Sequence, residues 1–547
     1  MPGEVRTEER AMTATRTTIG ETGSADRAES DGRRPFPWWL WLVPFLLAVG
    51  IPALYRQRFY TIHPLRLESY LVGTLLVLVV GLIIVAAISS GFTRNRHEAL
   101  AAGTASVLVL FHWPFLTGIG WRLFGSSLPI LADVFPVVFG VGLVLLTARF
   151  ADQAVVVIVF AVFGLAASWV LWSDASDRIV ADPEPVVAVA AQPGAPDALL
   201  LVLDGYPRGD VLLSQFGFDN TGFYDALGER GFVVAEKATT AYADTHASIA
   251  AMYELDYVLE PGIPMSDEDY RRLRQVRSGD AVMVRAFAEA GYETTYFENS
   301  WPGSQCGVIW DVCVRDGLWY HTAYSMGQIT PLAALMSNMV AAPFTVIGLD
   351  HLRRLVPILG RESETPRFIV AHVTVPHAPV HADADCVIHA SEERSGLSLA
   401  WLGIDEKELD KRRQAFVEQV RCVNGLVLDA LDAFLAAHPD GIVMVTSDHG
   451  TDALGQAHVD AWEWTDTQVL ERMAALGAYR FGDCPAAVAP DTNTINGARR
   501  FVGCALGTPM EDLPNQLYAP PDTGRPSEPV VDLSEHVPAL TGADDLS

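Results

Sequence analysis

The chain has 547 residues, half of them hydrophobic, and a formal net charge of −28 at pH 7. The first 178 residues hold 14 Arg, no Lys and 13 Asp plus Glu, so the acidic excess lies wholly in the remainder. So much apolar sequence excludes an ordinary soluble enzyme, and so acidic a remainder excludes nucleic-acid binding by its overall field; an anionic substrate has to be held locally, by a metal or a helix terminus.

Residues 1–36 are rich in Thr, Glu, Arg, Gly and Ser, with almost no large apolar side chains. They cannot bury a core, and a disordered cytoplasmic tail is expected. The charged stretch is too long for a secretory signal. Five apolar segments follow, at about 37–55, 70–90, 99–118, 128–148 and 153–172, each near the roughly 20 residues that span a bilayer. Trp38, Trp39 and Trp41 at one end, and Trp169 and Trp172 at another, fall where interfacial aromatics belong. The expectation is a five-helix transmembrane bundle over 37–172. His112 and Asp133 fall inside spans, where polar groups mark a substrate path or helix packing. Residues 173–196 read as a linker. With the Arg-containing tail inside, five spans place the rest of the chain outside the cytoplasmic (inner) membrane.

The cysteines agree with that side. All six, Cys306, Cys313, Cys386, Cys422, Cys484 and Cys504, lie after residue 300, as expected for disulfides in an oxidising compartment. Sequence order suggests pairs 306–313, 386–422 and 484–504, although six cysteines allow many connectivities.

Residues 197–520 alternate strand and helix. Strands are expected at 198–203, 232–236, 293–298, 367–373, 441–446 and 477–480. Helices are expected at 220–230, 245–254, 279–291, 411–437, 466–475 and 494–505. The pattern predicts an α/β fold, a doubly wound parallel sheet. The uncharged stretch 322–349 reads as buried helices or a surface resting on the bilayer, because a sixth span would split the domain across the membrane. Residues 521–547 read as a poorly ordered tail.

Four pieces carry chemistry. LVLDGYPR (201–208) is an apolar strand delivering Asp204 at its carboxyl end, where open α/β sheets build sites. In AYADTHASIAAMYELDY (241–257), Thr245 opens an apolar-periodic helix or caps it, and a helix N-terminus favours a phosphate. AHVTVPHAPV (371–380) runs into His372 and His377. GIVMVTSDHG (441–450) is a buried strand ending in Asp448 and His449. Two strand-end carboxylates, an imidazole and a hydroxyl suit Zn2+ or Mn2+, with Mg2+ also possible. A metal on the Thr hydroxyl makes it a nucleophile at neutral pH.

The order of LVLDGYPR, Y-x-x-T-x-x-S, H-x-x-x-x-H-x-P and TSDHG resembles the alkaline phosphatase superfamily. Within it, the chain is similar to membrane proteins with a sulfatase-like extracytoplasmic domain, such as lipoteichoic acid synthases and phosphoethanolamine transferases. FDNTGFYDALGERGFVVAEKATTAY and ERMAALGAYRF resemble a further branch of sulfatase-like membrane proteins. The resemblance implies that Asp204, Thr245, Asp448 and His449 hold one metal, with Thr245 also the nucleophile. It places His377 over the substrate phosphate, with His372 a weaker candidate for the same role. Asp204 departs from the Glu usual in the transferases. A sulfatase needs Cys or Ser in C/S-x-P-x-R, and Thr245-His246-Ala247-Ser248 does not supply it. Asp385 and His389 have the D-x-x-x-H spacing of a second metal site but lie too far along, and His458 is a surface candidate.

The expected function is a membrane-anchored, metal-dependent phosphotransferase. It takes a phospholipid head group through a phosphothreonine and passes it to an envelope glycan or to water. The alternatives are a phosphodiesterase using the same site, and a catalytically silent membrane-anchored scaffold.

Overall fold

The computed structural model describes residues 37–60, 67–91, 95–124, 128–176, 195–299, 304, 306–307, 309–314, 326–327, 329–332, 343–389, 405–456, 459–484, 487–521 and 528–542. The expected tail over 1–36, His458 and most of the stretch 322–349 lie outside them.

The apolar segments form six helices: α1 (Leu42–Tyr60), α2 (Leu67–Gly91), α3 (Arg96–Phe111), α4 (Trp113–Phe124), α5 (Pro129–Arg149) and α6 (Ala154–Ser176). Many of their large side chains point outward, with Leu75, Ile83, Val138, Leu145, Ile158 and Phe163 all exposed, the pattern of a bundle solvated by lipid rather than water. Trp38–Tyr55, Tyr70–Ser90, Ile130–Arg149 and Ala154–Trp172 are long and apolar enough to cross a membrane. The segment expected at 99–118 is instead a pair, α3 and α4, bent by 70°, and counts as a fifth span only if the pair crosses as one. The break has a local cause. Pro114 has no N–H to donate and disfavours helical geometry at the residue before it, and the backbone N–H of His112 caps α3 on Leu108 O at 3.1 Å. The His112 ring also bonds that carbonyl, Nδ1 to O at 2.9 Å, so its visible role is at a helix end.

Residues of the uncharged stretch 322–349 reach this bundle. Met326 and Ile329 are buried in one cluster with Phe45, Ala48, Val49, Val77, Val107 and Phe111. Of the residues described in 322–349, Met326 and Ile329 thus insert into the helices' own core, while 343–349 open a helix, Pro343–Leu359, with Leu349 buried, in keeping with the reading as buried helices.

Beyond residue 195 a seven-stranded sheet forms from β1 (Ala198–Leu203), β2 (Val233–Val234), β3 (Glu293–Phe297), β4 (Val312–Val314), β5 (Arg367–Val373), β6 (Ile442–Ser447) and β7 (Gly477–Arg480), in the order β2-β7-β6-β1-β5-β3-β4. The five strands from β6 to β4 are parallel, as expected. Beyond them β7 runs antiparallel to β6, and β2 antiparallel to β7, making the sheet mixed at one edge. Helices cover both faces. One face packs Leu200, Val202, Phe368, Val370 and Met444 under α9 (Thr245–Glu254), α11 (Val282–Glu289) and α15 (Thr494–Leu506), with α10 (Asp267–Arg277) beside them. The other packs Leu199, Leu201, Ile369, Val443 and Val445 under α7 (Gly209–Phe216), α8 (Thr221–Glu229), α12 (Pro343–Leu359) and the long α13 (Glu406–Ala437). The central strands are buried at every position, which is why they read as continuous apolar runs rather than alternating ones. The disulfides pair as sequence order suggested: Cys306–Cys313, Cys386–Cys422 and Cys484–Cys504.

Candidate metal centre

Register brings the two carboxylates together. Leu203 pairs with Val373 on one side and Ser447 on the other, so the three central strands end level. The next residues on two of them are Asp204 and Asp448, both fully buried. The chain leaves β1 through Gly205 at φ +66°, a left-handed turn that favours glycine. The turn aims the Gly205 N–H at Asp448 Oδ1 (3.0 Å), which also accepts from the His449 N–H at 2.9 Å. Asp448 Oδ2 and both oxygens of Asp204 are buried with no donor in hydrogen-bonding geometry, His372 Nε2 approaching Asp204 Oδ2 only to 3.4 Å.

Helix α9 supplies the hydroxyl. Its N-cap is Asp244, whose side chain accepts from the Ala247 N–H at 2.7 Å, a cap worth about 1 kcal/mol. Thr245 is therefore the first helical residue, and the capping role open to it from sequence falls to its neighbour. Its Oγ1 lies 3.0 Å from His449 Nε2. The carbonyl of Asp448 accepts from Thr240 Oγ1 and Ser248 Oγ, both at 2.6 Å, which ties the end of β6 to α9.

His449 Nδ1 lies 2.8 Å from Gly450 O, which only accepts. The ring proton is thereby assigned to Nδ1, and Nε2 turns a lone pair towards Thr245 and the carboxylates. Burial, joined by the charge of Arg472, pushes this imidazole down to about 4 against the opposing pull of Asp448 and Asp204, so it is neutral at pH 7. Burial pushes the Asp204 carboxyl up, but the imidazoles of His377, His372 and His449 together outweigh it and hold the group below the usual carboxylate range. Ligand atoms of Asp204, Asp448 and His449 lie within 4.8 Å of one another. Buried carboxylate oxygens without donors are costly unless a cation offsets them. Carboxylate, neutral imidazole and hydroxyl are the donors a divalent ion takes, so these residues fit a metal.

His377 stands over this cluster. Its ring packs against Gly205, lies 6.2 Å from the His449 ring between centroids, and is anchored by Nδ1 donating to Ala378 O at 2.5 Å. His372 is buried behind it, with Nε2 3.4 Å from Asp204 Oδ2. Asp385 and His389 are not joined to the cluster. His389 Nε2 pairs with Asp383 Oδ2 at 2.6 Å, and Asp383 Oδ1 closes a turn by accepting from the Asp385 and Val387 N–H groups.

Three supporting residues escape a reading for ligands. Arg472 donates to Ala243 O (2.6 Å) and Gly450 O (3.3 Å), joining the loop before Thr245 to the loop after His449. The buried Glu471 beside it accepts from Thr451 Oγ1, the Ala453 and Leu454 N–H groups and Gln456 Nε2, holding the latter loop. Both sit in the ERMAALGAYRF block, whose distinctness was the available signal. Asn299, bonded to His372, gave none. Next to Thr245, His246 Nδ1 accepts from the buried Arg277, whose charge and the burial of the ring keep this imidazole well below its usual range.

The model of the family described as Sulfatase matches residues 196–470. Among curated proteins none matches the chain. Solved structures similar to it include the C-terminal periplasmic domain of EcEptC from Escherichia coli, at 12% identity and TM-score 0.40, over 62% of this chain and 93% of that one. The integral membrane protein lipooligosaccharide phosphoethanolamine transferase A from Neisseria meningitidis matches at 13% identity and TM-score 0.37, over 86% and 96%. Phosphonate monoester hydrolase of Agrobacterium radiobacter matches at 14% identity and TM-score 0.37, over 59% and 80%.

Proposed function

The chain belongs to the sulfatase family, and from that premise we propose that it is a membrane-anchored, metal-dependent phosphotransferase whose catalytic domain lies outside the cytoplasmic membrane. Its substrate is a phosphodiester of a lipid head group, and its intermediate is a phosphothreonine at Thr245. The observation that carries the reading is the Thr245 hydroxyl at a helix N-terminus, 3.0 Å from a neutral His449 and beside two buried carboxylates with unpaired oxygens. Three disulfides in this domain support the oxidising side of the membrane.

Asp204, Thr245, Asp448 and His449 would hold one divalent ion, Mn2+ or Zn2+, with Mg2+ the further candidate. Such an ion lowers the pKa of a bound hydroxyl and offsets charge on a transferring phosphoryl group. Thr245 releases its hydroxyl proton to solvent, its Oγ attacks phosphorus, and the bond to the leaving oxygen breaks. His377, fixed through Nδ1, presents Nε2 to that oxygen and, when the ring carries a second proton there, supplies it. The phosphoryl group then passes from Thr245 to a hydroxyl of an envelope glycan, or to water. The α9 N-terminus adds its dipole to the phosphate site.

The test is intact-mass analysis of the full-length protein in detergent, with Mn2+ or Zn2+ and a panel of phospholipids. A metal-dependent mass gain on the wild type, kept in Thr245→Ser and absent in Thr245→Ala, is expected. Wild-type turnover in Thr245→Ala overturns the mechanism. No adduct and no turnover with any metal favours the silent scaffold.

A further inference from the structure

The proposed chemistry leaves His372 without a task. It is the penultimate residue of β5, opposite Val202, and 1% exposed. Its Nε2 stands 3.4 Å from Asp204 Oδ2 and 4.0 Å from Asp448 Oδ2. Behind the ring, Asn299 Nδ2 lies 2.8 Å from His372 Nδ1 and 2.9 Å from the His372 carbonyl oxygen. A carbonyl oxygen only accepts, so the Asn299 group facing it is the amide NH2 and not the amide oxygen. The same NH2 donates to Nδ1, which therefore carries a lone pair. A ring that accepts at Nδ1 carries its proton on Nε2, here facing the carboxylates. Held this way, the ring offers no lone pair on that side and serves as a donor.

The oxygens of the cluster divide accordingly. Asp204 Oδ1 and Asp448 Oδ2 face His449 Nε2, at 3.8 and 3.4 Å. Asp448 Oδ1 is taken by two backbone N–H groups. Asp204 Oδ2 remains, and it faces the Nε2–H of His372.

We propose that His372 is a positioning residue of this centre: a donor locked by Asn299, which fixes Asp204 through its outer oxygen and puts a proton where a second cation would sit between Asp204 and Asp448. The centre is thereby set up for one metal ion. The proposal rests on the metal reading above and adds to it a role, a protonation site and a reason for the single ion.

The experiment uses full-length protein in detergent, stripped by chelator and titrated with Zn2+ or Mn2+ by calorimetry, with bound metal counted by elemental analysis. Wild type is expected to bind one ion. His372→Gln, which keeps an amide N–H within reach of Asp204, stays within about threefold of that affinity, whereas His372→Ala loses about 10- to 100-fold, the range for removing a partner of a metal ligand. Selective 15N-histidine spectra, assigned by difference against His372→Gln, show His372 protonated on Nε2 with and without metal. This readout stands even if His372→Ala does not fold, which thermal unfolding of the metal-free variants checks. Unchanged affinity in His372→Ala overturns the proposal, as does an Nδ1-protonated ring. Equal loss in both variants, with one nitrogen ligand missing by X-ray absorption, makes His372 a ligand and also overturns it. A wild type that binds no metal refutes the metal reading itself, and so separates the two.

Discussion

Gly450→Ala tests whether backbone apposition holds His449 in place. Three contacts converge on Gly450: its N–H donates to Arg472 O at 2.8 Å, and its carbonyl accepts from His449 Nδ1 at 2.8 Å and from Arg472 Nη1 at 3.3 Å. A Cβ at this position would lie 1.9 Å from Glu471 O, and Cβ contacts under 3.0 Å are essentially never seen, so the two segments must part by at least 1.1 Å. Neither can yield cheaply. One is the loop closing the site, and the other is the end of α14 (Asp466–Met473), where Glu471 is bound by four donors. Overpacking of this kind costs about 1–3 kcal/mol, and the displaced hydrogen bonds add about 1 kcal/mol. The expected loss is thus about 3 kcal/mol in urea unfolding of the metal-free protein, followed by Trp fluorescence. Because the Gly450 carbonyl sets the His449 tautomer, metal affinity should fall about 10- to 100-fold in calorimetry. A variant with wild-type stability and wild-type metal affinity would refute the reasoning.

The His449 imidazole sits at about 4 in the fold, below its ordinary 6.5. A depressed histidine contributes stability that is full above 6.5 and lost as pH falls towards 4, on the order of 3 kcal/mol in all. Metal-free protein should therefore lose thermal stability across that window, and His449→Gln should flatten the decline; an unchanged slope refutes the assignment. Part of the slope belongs to His246, which Arg277 and burial depress in the same direction. Among the disulfides, Cys386–Cys422 spans 36 residues and Cys306–Cys313 spans 7. Loop-closure entropy gives about 4 and about 2 kcal/mol for removing them as Ala pairs, and unfolding midpoints that reverse this order would contradict it.

The sequence was most legible where a buried run meets a sharp polar end. The apolar blocks 198–203, 367–373 and 441–446 stand within one residue of β1, β5 and β6 because strands buried on both faces leave no polar interruption. Their register could not be read, yet register is what sets Asp204 beside Asp448. Helices α7 and α10 were missed, and of α12 only the start, 343–349, fell within the stretch read as buried helices. The apolar turn of α12, with Leu352, Leu355 and Leu359 buried, was hidden by the uncharged sequence running into it. The antiparallel run of β7 was beyond a strand-helix alternation rule, since a four-residue strand carries no sign of its direction. Asn299 was invisible for another reason. It acts through hydrogen bonds to a residue far along the chain, and nothing local distinguishes it.

Met326 and Ile329, buried among Phe45, Val77 and Phe111, change how the two parts of the molecule should be pictured. A globe on a single tether would swing and spin freely over the bilayer, sampling many heights and headings. One also pinned by a loop pushed into the helices has its tilt and elevation set by that second fastening. Cutting the chain at residue 197 would leave the pin as a bare greasy spur, so a truncated soluble piece is a different object mechanically as well as chemically. What is lost with the helices is the aim of the catalytic face as much as its address.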